Sequence, residues 1–272
     1  MKKFLAVALC AVMVLTMFAG CGGSGDKEAS GEADRTSFAL GFDAEYPPFG
    51  YMDDKGGYTG FDIEVAQAVC ELEGWECKPT PISWDTKDAE LNSGSIDCIW
   101  SGFTMNGRED DYTWSMPYCD NSQVVVVAKD SGIKSFKDLA GKTVGVQAAS
   151  AAYSVLTDEE QQKALGDTFG ELQQFGDYNG AFTELAAGAV DALAVDIGVA
   201  NFQIKSRGDG FVMLDESLNS ESYGIGFKLG NEELRDIVNA DLKKLYEDGK
   251  ITEIAEKYEI ADMLAFEKKD AE

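Results

Sequence analysis

One segment of the chain occurs twice. Leu91-Asn-Ser-Gly94-Ser-Ile-Asp97-Cys-Ile-Trp100 is echoed by Leu185-Ala-Ala-Gly188-Ala-Val-Asp191-Ala-Leu-Ala194. Each copy reads as a helix end, a glycine that stops it, and an apolar strand introduced by aspartate. Such a repeat calls for two similar half-structures in tandem, each of α/β type. The first copy runs into Ser101-Gly102-Phe-Thr104, with Arg108 beyond it, and the second runs into Val195-Asp196. Open α/β sheets place ligands outside the carboxyl ends of their strands. The guanidinium of Arg108 is a rigid fork suited to a carboxylate there.

The remaining elements fit this frame. Residues 37–42 form an apolar strand that stops at Asp43, and Pro47 and Pro48 exclude the following segment from a sheet interior. Asp53-Asp54-Lys55-Gly56-Gly57 reads as a hairpin turn; it lacks the later ligands of a calcium loop, and no metal or cofactor is expected. Thr59-Gly60-Phe61-Asp62 has the form of a capping box. The helix it opens carries Phe61, Val65, Val69 and Leu72 on one face and stops at Gly74. Strands are expected at 75–79, 124–128, 142–147 and 223–227, and a short helix at 85–92. Asn231 is expected to cap a helix with Leu234, Val238, Leu242, Leu245 and Tyr246 as its apolar stripe, and a last helix follows Gly249. The run Val124-Val-Val-Val-Ala128 needs burial on both faces. Extended crossings near residues 118–123 and 219–223 point to two lobes joined by a hinge, with a ligand cleft between them.

The amino terminus stands apart from the fold. Lys2 and Lys3 precede an apolar run over residues 4–18, the layout of a secretory signal peptide. It ends Phe18-Ala19-Gly20-Cys21, which resembles the lipobox of bacterial lipoproteins, whose cysteine is lipidated. Residues 22–33 contain no large apolar side chain and read as a flexible tether. The expected organisation is a signal peptide at 1–20, a lipidated tether at 21–35, lobe 1 at 36–120 and 223–265, and lobe 2 at 121–222. The protein is therefore expected at the extracytoplasmic face of the cell membrane, held through Cys21.

Composition excludes several classes of activity. The formal net charge of −26 leaves no basic face for nucleic acid. With no histidine in the chain, there is no Ser-His-Asp or Cys-His catalytic apparatus and no histidine-ligated metal. Cys70, Cys77, Cys98 and Cys119 are read as structural, either buried thiols or disulfides.

Several motifs together resemble a known family. Gly41-Phe-Asp43-x-x-Tyr46-Pro-Pro-Phe49, Gly60-Phe-Asp62, Ser101-Gly-x-Thr104 with its arginine, and Ser115-Met-Pro-Tyr118 occur in that order. Asp138-Leu-x-Gly141-Lys-x-Val144-Gly-Val-Gln147 and Asp191-Ala with Asp196 follow. The set resembles the polar-amino-acid solute-binding proteins of ABC importers in their lipoprotein form, over residues 37–260. The resemblance implies a type II periplasmic-binding-protein-like fold: two α/β lobes, each a mostly parallel sheet flanked by helices, closing on one free amino acid. It further implies a monomer that delivers its ligand to a permease with a cytoplasmic ATPase. It puts Arg108 on the ligand α-carboxylate and Asp196 on the α-amino group. Ser101, Gly102 and Thr104 supply hydroxyl or backbone groups, and Ser150 and the Ala151 N–H donate to the carboxylate. Tyr46 and Trp84 sandwich the side chain, with Asp43 and Gln147 at its polar tip. Two departures stand out: Thr104 and Arg108 are one residue closer than is usual, and Ala149 and Ala151 replace a glycine and a hydroxyl residue.

Three functions are consistent with these residues. The first is transport of a polar or cationic amino acid, which Asp43 and two aromatic rings favour. The second is sensing of an amino acid for a membrane partner. The third is an enzyme on the same lobes, which without histidine would rely on carboxylates such as Asp43 or Asp196, with no close carboxylate pair indicated.

Overall fold

The structure is a computed structural model in which residues 35–266 are described. The expected signal peptide, Cys21 and nearly all of the tether lie outside the described residues. The first half runs β1 (Ser37–Phe42), β2 (Glu45–Tyr46), β3 (Gly50–Met52), β4 (Tyr58–Thr59), α1 (Phe61–Glu73), β5 (Glu76–Pro81), α2 (Lys87–Ser93) and β6 (Cys98–Thr104). Then come β7 (Thr113–Trp114), β8 (Cys119–Asn121), β9 (Gln123–Ala128), β10 (Thr143–Gln147), α3 (Ala151–Thr157) and α4 (Lys163–Gly166). The chain continues with β11 (Glu171–Phe175), α5 (Tyr178–Ala187), β12 (Ala192–Asp196), α6 (Ile197–Arg207) and β13 (Phe211–Ser217). It closes with β14 (Glu221–Phe227), α7 (Glu232–Glu247) and α8 (Lys250–Lys257).

These strands form two main sheets, one per lobe. The first has the order β5-β1-β6-β14-β7, with β8 also on β14, and the second β11-β10-β12-β9-β13. In each, three parallel strands are followed by an antiparallel one, β14 beside β6 and β9 beside β12. The fold is thus a two-lobed α/β fold with mixed sheets. The chain reverses its direction of winding at β1 and again at β10, and a ligand crevice is expected beyond the ends of those strands.

The sequence repeat has a three-dimensional counterpart. Gly94 and Gly188 both end their helices in the left-handed conformation, at φ 80 and 73, which costs a glycine no Cβ clash. Asp97 then accepts the Ala39 N–H at 2.7 Å and donates its own N–H to the Ala39 carbonyl at 2.7 Å. Asp191 does the same for Thr143, at 2.9 Å in each direction. In both lobes the aspartate therefore locks the register between the first strand and the third.

β9 is buried along Gln123–Val127, as its run of valines requires. The two crossings between lobes are themselves paired, Glu221 opposite Asn121 and Tyr223 opposite Cys119. Phe49 reaches from the first lobe to α6 of the second, where a Cβ on Gly198 would stand 3.0 Å from its ring. No helix among the described residues is long and apolar enough to cross a membrane.

Several local expectations are corrected. Gly60, not Thr59, takes the N-cap position of α1; Asn231 takes that of α7 as expected, but its side chain makes no capping bond. The Thr59 hydroxyl instead meets Tyr258 at 2.8 Å and Glu64 at 3.2 Å. Leu72 is 37% exposed, outside the core stripe of α1. The second strand lies at Glu76–Pro81, shifted towards the carboxyl end of the expected span. For the cysteines, where thiols and disulfides were both open, all four described ones are free thiols, Cys70, Cys98 and Cys119 buried.

The clamp at the head of the third strand is testable. Asp97→Ala leaves the Ala39 N–H without its acceptor and removes the ion pair to Arg35 at 2.9 Å. Denaturant unfolding should show a loss of about 1–3 kcal/mol with an unchanged m-value.

Candidate functional site

All eleven residues singled out in the sequence line one cavity between the lobes. Asp43, Tyr46, Trp84, Ser101, Gly102, Thr104, Arg108, Gln147, Ser150, Ala151 and Asp196 together form its lining. Asp43 directly follows β1, Ser101, Gly102 and Thr104 lie in the last part of β6, Gln147 ends β10, and Asp196 ends β12.

The first lobe's wall is fixed by hydrogen bonds. The Ser101 hydroxyl oxygen accepts the Asp43 N–H at 3.1 Å, which leaves its proton free to point elsewhere. Gly102 sits at φ 54, and a Cβ there would lie 2.9 Å from the Tyr46 ring and 3.1 Å from Tyr223. Its N–H is not free for a ligand, as an open strand end would leave it. Asp62, fully buried at the start of α1, accepts it at 2.6 Å and the Tyr118 hydroxyl at 3.0 Å. Arg108 follows a tight turn through Gly107, and its guanidinium donates to the Thr104 carbonyl at 3.0 Å and to the Ala149 carbonyl of the other lobe at 3.4 Å. The shortened Thr104–Arg108 spacing thus still delivers the guanidinium to the cavity.

The second lobe's wall combines a helix start with a strand end. Ser150 caps α3 by accepting the Tyr153 N–H at 3.2 Å. Ala151 is the first residue of that helix, whose first amides have no partner within it. Ala149 stands at φ 56, a left-handed backbone that costs an L-residue about 1–2 kcal/mol. That conformation is the physical reason for a glycine there. Gln147 donates to Asp43 across the cleft at 2.6 Å and to the Gly176 carbonyl at 3.1 Å. The other Asp43 oxygen accepts the Glu45 N–H at 2.9 Å.

Asp196 stands at the N-cap position of α6, but its side chain makes no capping bond there. Its side chain enters a polar network at the hinge that the sequence did not reveal. Asp196 Oδ1 accepts from Asn121 and Gln123, each at 2.7 Å, and from the Tyr223 hydroxyl at 2.5 Å. Glu221 Oε1 accepts from the same two amides, at 2.7 and 2.8 Å, and from the Thr104 hydroxyl at 2.9 Å. Two buried carboxylates therefore stand side by side, correcting the expectation of no close pair. The only sequence signal was the presence of Asn121, Gln123 and Glu221 in the two crossings.

Burial dominates the electrostatics. It pushes the Asp43 carboxyl up to about 6 and that of Asp62 up to about 7. Asp196 rises to about 6 from burial first and the nearby Glu221 charge second. The phenols of Tyr46, Tyr178 and Tyr223 are raised well above their ordinary range by burial and remain protonated.

Residues 38–261 match the family model for bacterial extracellular solute-binding proteins, family 3. The chain is 31% identical over 264 residues to the arginine-binding extracellular protein ArtP of Bacillus subtilis, covering 95% of this chain and 98% of that one. Among solved structures, it is similar to an ABC uptake transporter substrate-binding protein from Streptococcus pneumoniae with bound histidine. That match has a TM-score of 0.79 and 34% identity, over 84% of this chain and 94% of the other. An ancestral arginine-binding protein bound to arginine matches at TM-score 0.75 and 35% identity, over 82% and 98% of the two chains.

The raised carboxyls set the pH dependence of stability. Their folded values of about 6 to 7 exceed the ordinary carboxylate value of about 4. Between those limits the folded chain holds protons that the unfolded chain has released, so stability falls as pH rises through 6 to 7. The melting temperature of the ligand-free protein should decline from pH 5 to pH 7.5, and Asp62→Asn should flatten the decline. A melting temperature climbing over that range would contradict the assignment.

Proposed function

The chain belongs to the bacterial extracellular solute-binding proteins, family 3, and from that premise we propose that it is the extracytoplasmic binding component of an ABC importer. It captures one free polar or cationic amino acid in the inter-lobe cleft and delivers it to a permease, as a monomer held to the membrane through lipidated Cys21. The observation that carries the reading is the pairing of opposite charges on facing walls, Arg108 on one and Asp196 on the other. A free amino acid is a zwitterion and complements both.

The neighbouring groups assign the remaining roles. Arg108 takes the α-carboxylate through its fork, assisted by the Ser150 hydroxyl and the Ala151 N–H. Asp196 takes the α-ammonium. The Thr104 hydroxyl donates its hydrogen bond to Glu221, so towards the cavity its oxygen presents lone pairs and accepts from the ammonium as well. The Ser101 hydroxyl, already an acceptor for the Asp43 N–H, retains a proton to donate. Tyr46 and Trp84 flank the side chain, and Asp43 with Gln147 meets its polar end.

Charge narrows the choice of ligand. Asp43, Asp196 and the adjoining Glu221 are opposed by the single guanidinium of Arg108, which disfavours an acidic side chain and favours one with N–H donors or a positive charge. The relatives named for arginine binding support this direction. The carboxylate pair does not make the site an enzyme's, because Glu221 stands outside the cavity lining and its two oxygens are already held by Asn121, Gln123, Thr104 and Asn219.

A thermal-shift screen of the purified chain against the common amino acids tests the reading, since a ligand of the folded state raises the melting temperature. Arg108→Ala should weaken every ligand by about 1.5–3 kcal/mol, with little change in ligand-free stability. Unchanged affinity by calorimetry would remove the carboxylate assignment. Asp43→Asn should reorder the ranking of side chains more than it weakens all of them; a uniform loss would mean that Asp43 serves the fold.

A further inference from the structure

Behind the cavity, the hinge carries a closed ring of four polar groups. Asn121 Nδ2 bridges Asp196 Oδ1 and Glu221 Oε1, and Gln123 Nε2 bridges the same two oxygens. All four residues are at least nine-tenths buried. Glu221 Oε2 is held separately by Asn219 Nδ2 at 2.8 Å. Among the described residues no lysine or arginine forms an ion pair with either acid. The titratable groups that face the ring are phenols: Tyr223 of β14, Tyr46 of β2 and Tyr178 of α5. Asp120 lies between Cys119 and Asn121 on β8, where strand alternation turns it to the opposite face.

The ring has more acceptors than donors. Both amide nitrogens spend their protons on the carboxylates, and Asn121 Oδ1 and Gln123 Oε1 are left buried without a partner. Two carboxylates bonded to the same donors, with no cation beside them, repel one another, and one bound proton relieves that repulsion. It also adds the donor that the ring lacks. When the cleft holds an amino acid, the α-ammonium supplies the positive charge from the cavity side, where Asp196 is exposed to the ligand.

We propose that Asp196 and Glu221 share one proton in the empty protein and that the α-ammonium of the incoming amino acid replaces it, so that capture releases one proton to solvent. The proposal rests on the zwitterion reading of the cleft. In the step the O–H bond of the shared carboxyl breaks and its proton passes to water or buffer, while the ligand ammonium keeps its three protons. The pair goes from one negative charge to two, and the ammonium balances the second. Glu221 is a positioning residue, acting on the ligand through Asp196 and through the hydrogen bond it accepts from the Thr104 hydroxyl. The raised carboxyl of Asp196 is in keeping with this arrangement.

Calorimetric titration of the purified protein with L-arginine and with L-glutamine, in buffers of different ionisation enthalpy, counts the protons exchanged. Near pH 6 and below, close to one proton should be released per ligand, and affinity should rise about tenfold per pH unit until the pair is ionised. Glu221→Gln should bind with little proton release and an affinity nearly independent of pH between 5 and 7.5. Because Asp43 also faces the ligand, Asp43→Asn is the control: release that persists in it assigns the proton to the hinge pair, and release lost with it overturns the proposal. Binding without proton release in the wild-type protein at pH 5 to 6 also overturns it. Absence of binding heat with the whole amino-acid set would instead strike the function proposed above. Carboxyl carbon NMR of the ligand-free protein gives an independent reading: Asp196 and Glu221 should titrate together, and separate titrations would refute the shared proton.

Discussion

Two carboxylates buried at the hinge set the terms for the rest of the molecule. Removing charge from water costs several kcal/mol per ion, and the cost is offset only where the surrounding hydrogen bonds are good. Asp196 and Glu221 meet that condition because both crossings run extended through the same point. Asn121 stands opposite Glu221 in the β8–β14 pair, and Gln123 opposite Asp196 in the β9–β12 pair. The two amides can therefore reach both acids only with the lobes in this register. The Ile197 N–H on the Ser122 carbonyl, at 3.0 Å, ties the start of α6 to the same crossing. The polar ring thus fixes where the end of β12 stands relative to the end of β6, and the cleft is the gap that remains.

Around that hinge the chain repeats a frame and varies its contents. Both lobes use the same order of three parallel strands, the same left-handed glycine and the same aspartate clamp. The strand ends then diverge. β6 continues past its clamp into Ser101, Gly102 and Thr104, where Asp62 and Glu221 each claim a donor. β12 stops at Asp196 and turns directly into a helix. A zwitterion needs such a difference, because its two charged groups sit on one carbon and must be met from two sides by opposite chemistry.

What could be read from the sequence was what depends on neighbours along the chain. Gly94 and Gly188 end helices because of their own backbone freedom, and the aspartates three residues later sit at a fixed place in the repeat. The cavity residues were legible because strand ends are, and because an ordered set of motifs marks them. Caps were less legible. Thr59 has the right spacing for a capping box, but Tyr258, far along the chain, takes its hydroxyl. Leu72 has the right helical phase, yet it stands 37% exposed at the last turn of α1. Glu221 and Gln123 could not be found this way at all. Each is an unremarkable polar residue in a crossing until the fold brings it to Asp196, and the contact depends on two crossings about a hundred residues apart.

The balance of charge in the cleft follows from the same geometry. A cavity lined by Asp43, Asp196 and Arg108, with Glu221 directly behind Asp196, is not neutral when empty and fully ionised. Such an excess is reduced by protons, by amide donors, or by a ligand that brings positive charge. Gln147 provides the second for Asp43 by reaching across from the other lobe, and in doing so links the two walls where a side chain would lie. On the proposed reading, a ligand that enters must replace that bond with a better one, which an amide or cationic group can do and an apolar or acidic one cannot. Selectivity at the tip would then arise less from the shape of the pocket than from the need to leave Asp43 no worse satisfied than Gln147 already leaves it.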